Sequence, residues 1–458
     1  MGSLDEFVPE DHLVRQLDEF ISWDFIYDIC DPLYSDIGTS RVDPVVLFKL
    51  MFINIIFGYH SMRRTCEEVK VNIAYRWFLG LSFDEKVPDH STFSQNYIRK
   101  FKKNNTAIQI FEYFIRTLIE NDVVDPSIVF IDGTHLKANA NKNKSVNKEV
   151  EIAAKRYQKE LDEEIDKDRA EHHKKEIKRK KKETHDTKEI KVSTSDPDCG
   201  YFHKGEKEKC FAYNVNVGCD RHGYILGMSI DSGNVHDSVA FYHLNLDYAY
   251  REQIETMVLD AGYSTAPICH SVHSEGKEII VPRKRVASKG KGYYKKWQYE
   301  YDREEDIYVC PLGCILRYST TNKDGRKQYK SNEKQCKSCP HLKKCTQSRN
   351  CTKVIERHVW QEDLEESIKL QKSQEGKRIY DQRKQTVERE FGDGKRRHGL
   401  DYTLYRGHER VYDHTLLTFT GMNMKKLCTY YKKQKEKYAK KKSFGHQNEE
   451  VKRIKGQK

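Results

Sequence analysis

The feature that most confines this chain is a run of four apolar residues, Ile128-Val129-Phe130-Ile131, that leads straight into an acid, Asp132. A short, continuous apolar run rich in β-branched residues is the pattern of a strand buried on both faces. Two further strand-like runs, Phe211 to Val217 and Tyr224 to Ile230, are joined by Asp220-Arg221-His222-Gly223, a hairpin connection. Asp237 to Tyr250 is helix-compatible, Glu255 to Leu259 is a fourth strand that also ends on a carboxylate, Asp260, Ser264 to Ser274 is helical, and Ile279-Ile280-Val281-Pro282 is a fifth strand. Strands and helices in this order predict a mixed α/β sheet with helices packed on it.

The first hundred residues are helical in pattern. Asp43-Pro44 reads as a cap followed by proline in the first turn, and Val45 to Tyr59 then supplies an apolar helix. Met62 to Phe78 carries Cys66, Val69, Ile73 and Phe78 near helical spacing, and Pro88-Asp89-His90-Ser91 opens another helix that exposes Arg99 and Lys100. A polar, basic helix after two apolar ones has the order of a helix-turn-helix, with an equal claim to being a solvated surface. Two stretches interrupt the sheet. Residues 142–191 are highly charged, with Val150, Ala153, Ala154, Tyr157, Leu161 and Ile165 on one helical seam; residues 283–376 hold a cysteine cluster. The expected organisation is a helical domain over 1–122, a core over 123–282 completed by 377–431, the cysteine-rich insertion 283–376 between them, and a lysine-rich, disordered tail over 432–458.

Composition narrows the class. At 37% hydrophobic residues the chain can fill a core, and 82 basic against 70 acidic residues leave a formal charge of +12, which suits a polyanionic partner. Met1 to Glu10 is acidic and lacks the apolar run of a signal peptide, so a cytoplasmic location is expected. The most apolar stretch, Val45 to Phe57, is too short to span a bilayer, which argues against a membrane protein. Thirteen cysteines, several closely spaced, point in a reducing compartment to metal ligation rather than to a disulfide framework.

Asp132 in Phe130-Ile131-Asp132-Gly133-Thr134-His135 and Asp260 in Val258-Leu259-Asp260-Ala261-Gly262-Tyr263 share a form, an apolar strand running into an aspartate. Asp is also a common turn residue, so neither is specific alone. A third acid, Glu388, lies in a helical stretch, Lys377 to Lys395. On one continuous helix Lys384 and Lys395, four before and seven after it, share its face. An ordinary ion pair on a solvated helix would give the same spacing. Glu390 competes for the role from a different face, and Asp220, Asp231 and Asp237 read as turn or cap residues. Three carboxylates gathered in a fold repel one another unless cations compensate them. Two divalent ions about 4 Å apart are the arrangement that deprotonates an attacking oxygen and stabilises a leaving one in phosphodiester chemistry.

The Ile-Asp-Gly-Thr segment at Asp132, the Leu-Asp-Ala-Gly-Tyr segment at Asp260 and the Val-Glu-x-x-Phe-Gly segment at Glu388 resemble bacterial insertion-sequence transposases of the DDE type. Their last motif runs Tyr-x2-Arg-x3-Glu-x6-Lys. Ser195-Asp196-Pro197-Asp198, Arg406-Gly407 and Asn423 are similar as well, and the helical region from Asp43 to Phe101 resembles the domain that precedes the catalytic core, so the resemblance covers nearly the whole chain. Tyr380, Arg383, Glu388 and Lys395 follow the last motif with one extra residue between Arg383 and Glu388, and Lys384 stands where the pattern has arginine. The resemblance implies a ribonuclease H-like α/β core, Asp132, Asp260 and Glu388 as catalytic ligands of Mg2+ or Mn2+, and metal-dependent DNA cleavage with strand transfer. It also implies double-stranded DNA as substrate (the element's terminal inverted repeats and its target), Tyr380, Arg383, Lys384 and Lys395 on that DNA with Arg99 and Lys100, a homodimer or larger assembly on DNA, and a nucleoid-associated location. A DNA-binding regulator without catalysis is the alternative, and a nuclease that cuts without joining a third.

Cys310-Pro311-Leu312-Gly313-Cys314 and Cys336-Lys337-Ser338-Cys339-Pro340-His341, followed by Cys345 and Cys351, offer more ligands than a tetrahedral zinc site needs. The expected set is Cys310, Cys336, Cys339 and Cys345, with Cys314, His341 and Cys351 as substitutes and a structural role. His135 and His236 are background, with Asp237 as the expected cap.

Overall fold

The computed structural model describes residues 3–34, 42–151, 157–179, 187–204, 208–246, 250–284 and 293–455. They fall into two compact units: Met1–Val146 with Lys191–Ile254 and Gln382–Lys458, and Asn147–Ile190 with Glu255–Asp381. The division differs from the expected one, because the charged segment and the chain from Glu255 onward group with the cysteine-rich stretch.

In the first unit, helix Pro44–Ile56 begins where Asp43 accepts the Val45 N–H at 2.7 Å, with proline in the first turn. Leu47, Phe48, Phe52 and Ile53 are almost wholly buried, which accounts for the lack of a polar face. The helix expected over Met62 to Phe78 is two, Met62–Val71 and Ile73–Leu79, because Asn72 turns its side chain to accept the Ala74 and Tyr75 N–H groups and starts a new helix. Helix His90–Asn96 is capped by Asp89 and runs into a π-helical turn, Tyr97–Phe101.

Strand β1 spans Ile128–Lys137, with Val129, Phe130 and Ile131 fully buried. The strand does not end on Asp132 as expected. It continues because Phe130 through Lys137 pair residue by residue with an antiparallel neighbour, β3 (Glu208–Cys219). β2 (Gly200–Lys204) pairs with β3 from Glu208 to Ala212, and β4 (Ile225–Ser232) pairs with it from Tyr213 to Cys219. The expected β3–β4 hairpin is present. Asp220 accepts the His222 and Tyr224 N–H groups at 2.9 and 2.8 Å, and Gly223 takes φ +81°. The helix expected from Asp237 shrinks to Asp237–Ala240 and a 3-10 turn, and its cap is His236, which accepts the Ser238 N–H, while Asp237 accepts from Asn214.

The C-terminal helix, His408–Lys455, buries Val411, Leu416, Phe419, Met424 and Leu427. It passes through the segment expected to be disordered: Lys and Glu are good helix formers, and Lys435 reaches Glu19 and the Phe20 ring.

The second unit holds a βαβ element, β5 (Thr256–Val258), helix Ala266–His273 and parallel β6 (Glu278–Ile280). Five antiparallel strands form a separate sheet: β7 (Glu300–Asp302), β8 (Ile307–Val309), β9 (Ile315–Thr321), β10 (Arg326–Ser331) and β11 (Val354–His358), each beside its neighbour in sequence. Tyr299, Tyr308, Leu316, Tyr329 and Ile355 are its small core. Of the charged seam, helix Gln158–Glu171 keeps Leu161 and Ile165 buried against Ala266 and Trp360, while Val150 lies in a strand, Ser145–Glu151. Ala153 and Ala154 lie outside the described residues. Among the described residues no helix is long and apolar enough to cross a membrane.

Candidate active site

Asp132 sits in the middle of β1, opposite Val217 of β3, within a run of paired residues that extends on either side of it in sequence. One carboxylate oxygen accepts the Gly133 N–H at 2.9 Å, and the other forms an ion pair with Arg383 Nη2 at 3.0 Å. The Arg383 side chain is 6% exposed and that of Asp132 20%. Guanidinium is permanently charged, so this pair places a fixed cation beside the acid.

Arg383 reaches inward because the helical stretch around it is broken. Helix Gln374–Asp381 gives way to a 3-10 turn, Gln382–Gln385, and Thr386 adopts φ −110°, ψ −108° with its hydroxyl bonded to the Gln382 carbonyl at 3.0 Å. A new helix, Val387–Arg397, follows and packs on β1 and β3. The single helix expected over Lys377 to Lys395 is therefore corrected: Lys384 lies in the turn and does not share a helical face with Glu388. Glu388 and Lys395, both exposed, keep their common helix.

The competing acid is placed differently. Glu390 is buried, bonds Lys426 Nζ at 2.5 Å and lies over the Gly223 turn. Burial pushes its carboxyl up and Lys426 opposes that, so Glu390 is a structural anchor for the C-terminal helix. Helix Val387–Arg397 thus turns one acid inward and leaves the other in solvent.

Asp260 belongs to the second unit. Leu259 donates to the Ile280 carbonyl at 3.0 Å at the end of β5, and Asp260 then accepts the Gly262 N–H at 2.6 Å as cap of a 3-10 turn, Ala261–Tyr263. Tyr380, half-buried, belongs to that unit too. Arg99 is exposed on the π-helical turn, and Lys100 lies 3.5 Å from the Tyr34 ring centre.

The other motif residues hold the C-terminal helix at two levels. Buried Asp196 accepts the Tyr213 hydroxyl on both oxygens at 2.9 Å and the Gly407 N–H at 3.1 Å, while Asp198 accepts the His408 N–H at 2.9 Å at the start of the C-terminal helix. Asn423, farther along that helix, bonds both the N–H and the carbonyl of Ile225 on β4, each at 2.9 Å. These are framework contacts that fix the C-terminal helix to the sheet.

The thiols Cys310, Cys314, Cys336, Cys339 and Cys345 line one cavity of about 890 Å3 in the second unit. Cys351 is not among its lining residues, and His341 Nδ1 bonds the Tyr294 hydroxyl. Among the described residues no three His, Cys, Asp or Glu side chains already stand together as a metal-ligand group. The donor chemistry still divides cleanly: hard carboxylate oxygens at the sheet suit Mg2+ or Mn2+, and soft thiols in the cavity suit zinc.

Residues 2–99 match the family described as "Transposase domain (DUF772)", and residues 309–428, which take in Glu388 and the cysteines, match the family described as "Transposase DDE domain". A solved structure, the cryo-EM structure of the piggyBac transposase synaptic complex with hairpin DNA, aligns over 93% of this chain and 74% of its own at 8% identity, with a TM-score of 0.34. No curated protein matches.

Proposed function

Because the chain belongs with the insertion-sequence transposases of the DDE type, we propose that it cuts DNA at the ends of an insertion sequence and joins the freed ends to target DNA, with Asp132, Asp260 and Glu388 as its catalytic carboxylates. The observation that carries the reading is the coupling of Asp132 to the segment bearing Glu388: the acid contacts Arg383, and the helix opening at Val387 packs on the strand that holds it.

In this reading the sheet is a ribonuclease H-like core and the three carboxylates hold Mg2+ or Mn2+. When bound, such ions supply an activated oxygen nucleophile and stabilise the leaving oxygen. The chain supplies rigid placement, since a strand paired from Phe130 through Lys137 fixes Asp132 better than a loop would. Lys395 and Lys384, both exposed, grip phosphate oxygens, as does Arg383 once it parts from Asp132. Arg99 and Lys100 add contacts from the helical domain, and the net charge of +12 draws in the duplex. The DNA is the element's terminal inverted repeats and its target, the working form is a homodimer or larger on DNA, and the protein resides in the cytoplasm at the nucleoid.

The test is cleavage of DNA carrying the element's ends in Mg2+ or Mn2+, with circular dichroism confirming that each variant is folded. Asp132→Asn, Asp260→Asn and Glu388→Gln should each lower cleavage at least a hundredfold, on the order of the loss of a transition-state charge contact. Unchanged cutting by all three sinks the assignment. Specific retention of end DNA by the unmodified chain without cutting in either metal would favour a DNA-binding regulator.

A further inference from the structure

The cysteine-rich sheet is short of apolar mass. Its buried core is five residues, three of them tyrosines, for a five-stranded sheet. Small segments with so little core are commonly braced by a metal or by disulfides, and all six thiols here are free.

Two pairs of thiols bracket tight turns. Cys310 and Cys314 flank the connection from β8 to β9: Cys310 donates to the Cys314 carbonyl at 2.9 Å, Gly313 takes φ +79°, and the Cys314 N–H donates to Cys310 Sγ at 3.2 Å. An amide aimed at sulfur favours the thiolate over the thiol. Cys336 and Cys339 flank the turn that ends helix Glu333–Lys337, where Cys339 donates to the Cys336 carbonyl at 3.1 Å. The pairs face one cavity with Arg317, Lys330 and Lys353 in its lining, cations that offset a cluster of thiolates.

Cys345 differs from these four. Its sulfur lies 3.1 Å from the Tyr299 hydroxyl; Cys310 packs on the tyrosine core as well, but without that hydroxyl contact. We propose that Cys310, Cys314, Cys336 and Cys339 bind one Zn2+ as a four-sulfur site that braces β8 to β10, with Cys345 serving the tyrosine core. The four side chains must draw together to form the site, since among the described residues no three ligands already stand as a metal group. The Cys314 and Cys336 sulfurs rest 3.3 Å from Gln335 Oε1 and 3.2 Å from Ser331 Oγ, contacts that a metal–sulfur bond readily replaces. Binding converts four thiols to thiolates and releases four protons to solvent, so affinity rises with pH. The set departs from that expected on spacing, with Cys314 in place of Cys345.

The full-length chain, purified with zinc in the medium, should carry about one zinc by elemental analysis, and cobalt exchanged into it should give the absorption of a tetrahedral four-thiolate site. Cys314→Ser and Cys339→Ser should each lose the metal, while Cys345→Ser and Cys351→Ser keep it. Zinc-free protein with no cobalt–thiolate absorption overturns the site. Loss of metal in Cys345→Ser, or its retention in Cys314→Ser, overturns the ligand set. Because the cobalt spectrum is read on the unmodified chain, a variant that fails to fold does not shelter the proposal, and none of these outcomes bears on the carboxylate reading.

Discussion

Arg383 Nη2 lies 3.0 Å from Asp132 Oδ2, and the arginine is the more deeply buried partner. The asymmetry sets the energetics. Removing Asp132 takes a carboxylate from a buried guanidinium that cannot shed its charge, whereas removing Arg383 leaves a carboxylate that still reaches water.

Asp132→Ala should therefore cost about 3 kcal/mol of stability, the low end for breaking a buried pair, and Arg383→Met less. The double variant should fall short of the summed losses by about 1–3 kcal/mol, the range for residues in direct contact. Urea denaturation of the four proteins checks this; strict additivity would mean that the pair contributes nothing.

Asn423→Ala should destabilise the first unit by about 2–4 kcal/mol, since it leaves a buried N–H and a buried carbonyl of Ile225 unsatisfied at once. Exposed Lys432→Ala on the same helix should stay within about 0.5 kcal/mol. Denaturation midpoints for the two, measured side by side, decide it.

Two glycines should respond with opposite signs. A Cβ at Gly227 would lie 2.0 Å from the Asn245 carbonyl oxygen, so Gly227→Ala forces backbone apart and should cost about 1–3 kcal/mol. A Cβ at Gly392 meets nothing within 4 Å, and Gly392→Ala in helix Val387–Arg397 should stabilise by about 0.5–1 kcal/mol. Thermal melts of both variants test the pair of signs.

Acid should weaken the first unit through two histidines. Burial lowers His398, whose Nδ1–H donates to the Ile55 carbonyl at 2.9 Å, and pushes His414, packed on Tyr405, down to about 4. Between about pH 6.5 and 4 the unfolded chain binds these protons and the folded chain does not, so stability falls as pH falls through that window. Asp220, raised to about 6 by burial, acts in the opposite sense there, because its folded form takes up a proton first. The readout is thus the difference between His414→Asn and the unmodified chain: the variant's melting temperature should decline less from pH 6.5 to 4.5, and parallel curves would refute the assignment.

Local pattern made much of the fold legible. The β3–β4 hairpin followed from two apolar runs and the turn at Asp220 to Gly223, and helix Pro44–Ile56 from its cap and proline. The misreadings came where a distant partner decides the local shape. Gly133-Thr134-His135 looks like a turn until β3 pairs along it, and Lys377 to Lys395 looks like one helix until Arg383 turns toward Asp132. Of the candidate site, the acids stood out in the chain, while the cation beside one of them did not, since only folding joins the two segments. Spacing put Cys345 ahead of Cys314, and what argues the other way is a neighbour of Cys345, Tyr299, that spacing does not report.

β2 and β4 share a single side of β3, one covering Glu208 to Ala212 and the other Tyr213 to Cys219. Between them they engage the amides and carbonyls along that side from end to end. An extended segment from another molecule would find no open ladder there to join, so this long, apolar strand is shielded from the runaway strand addition that exposed edges invite.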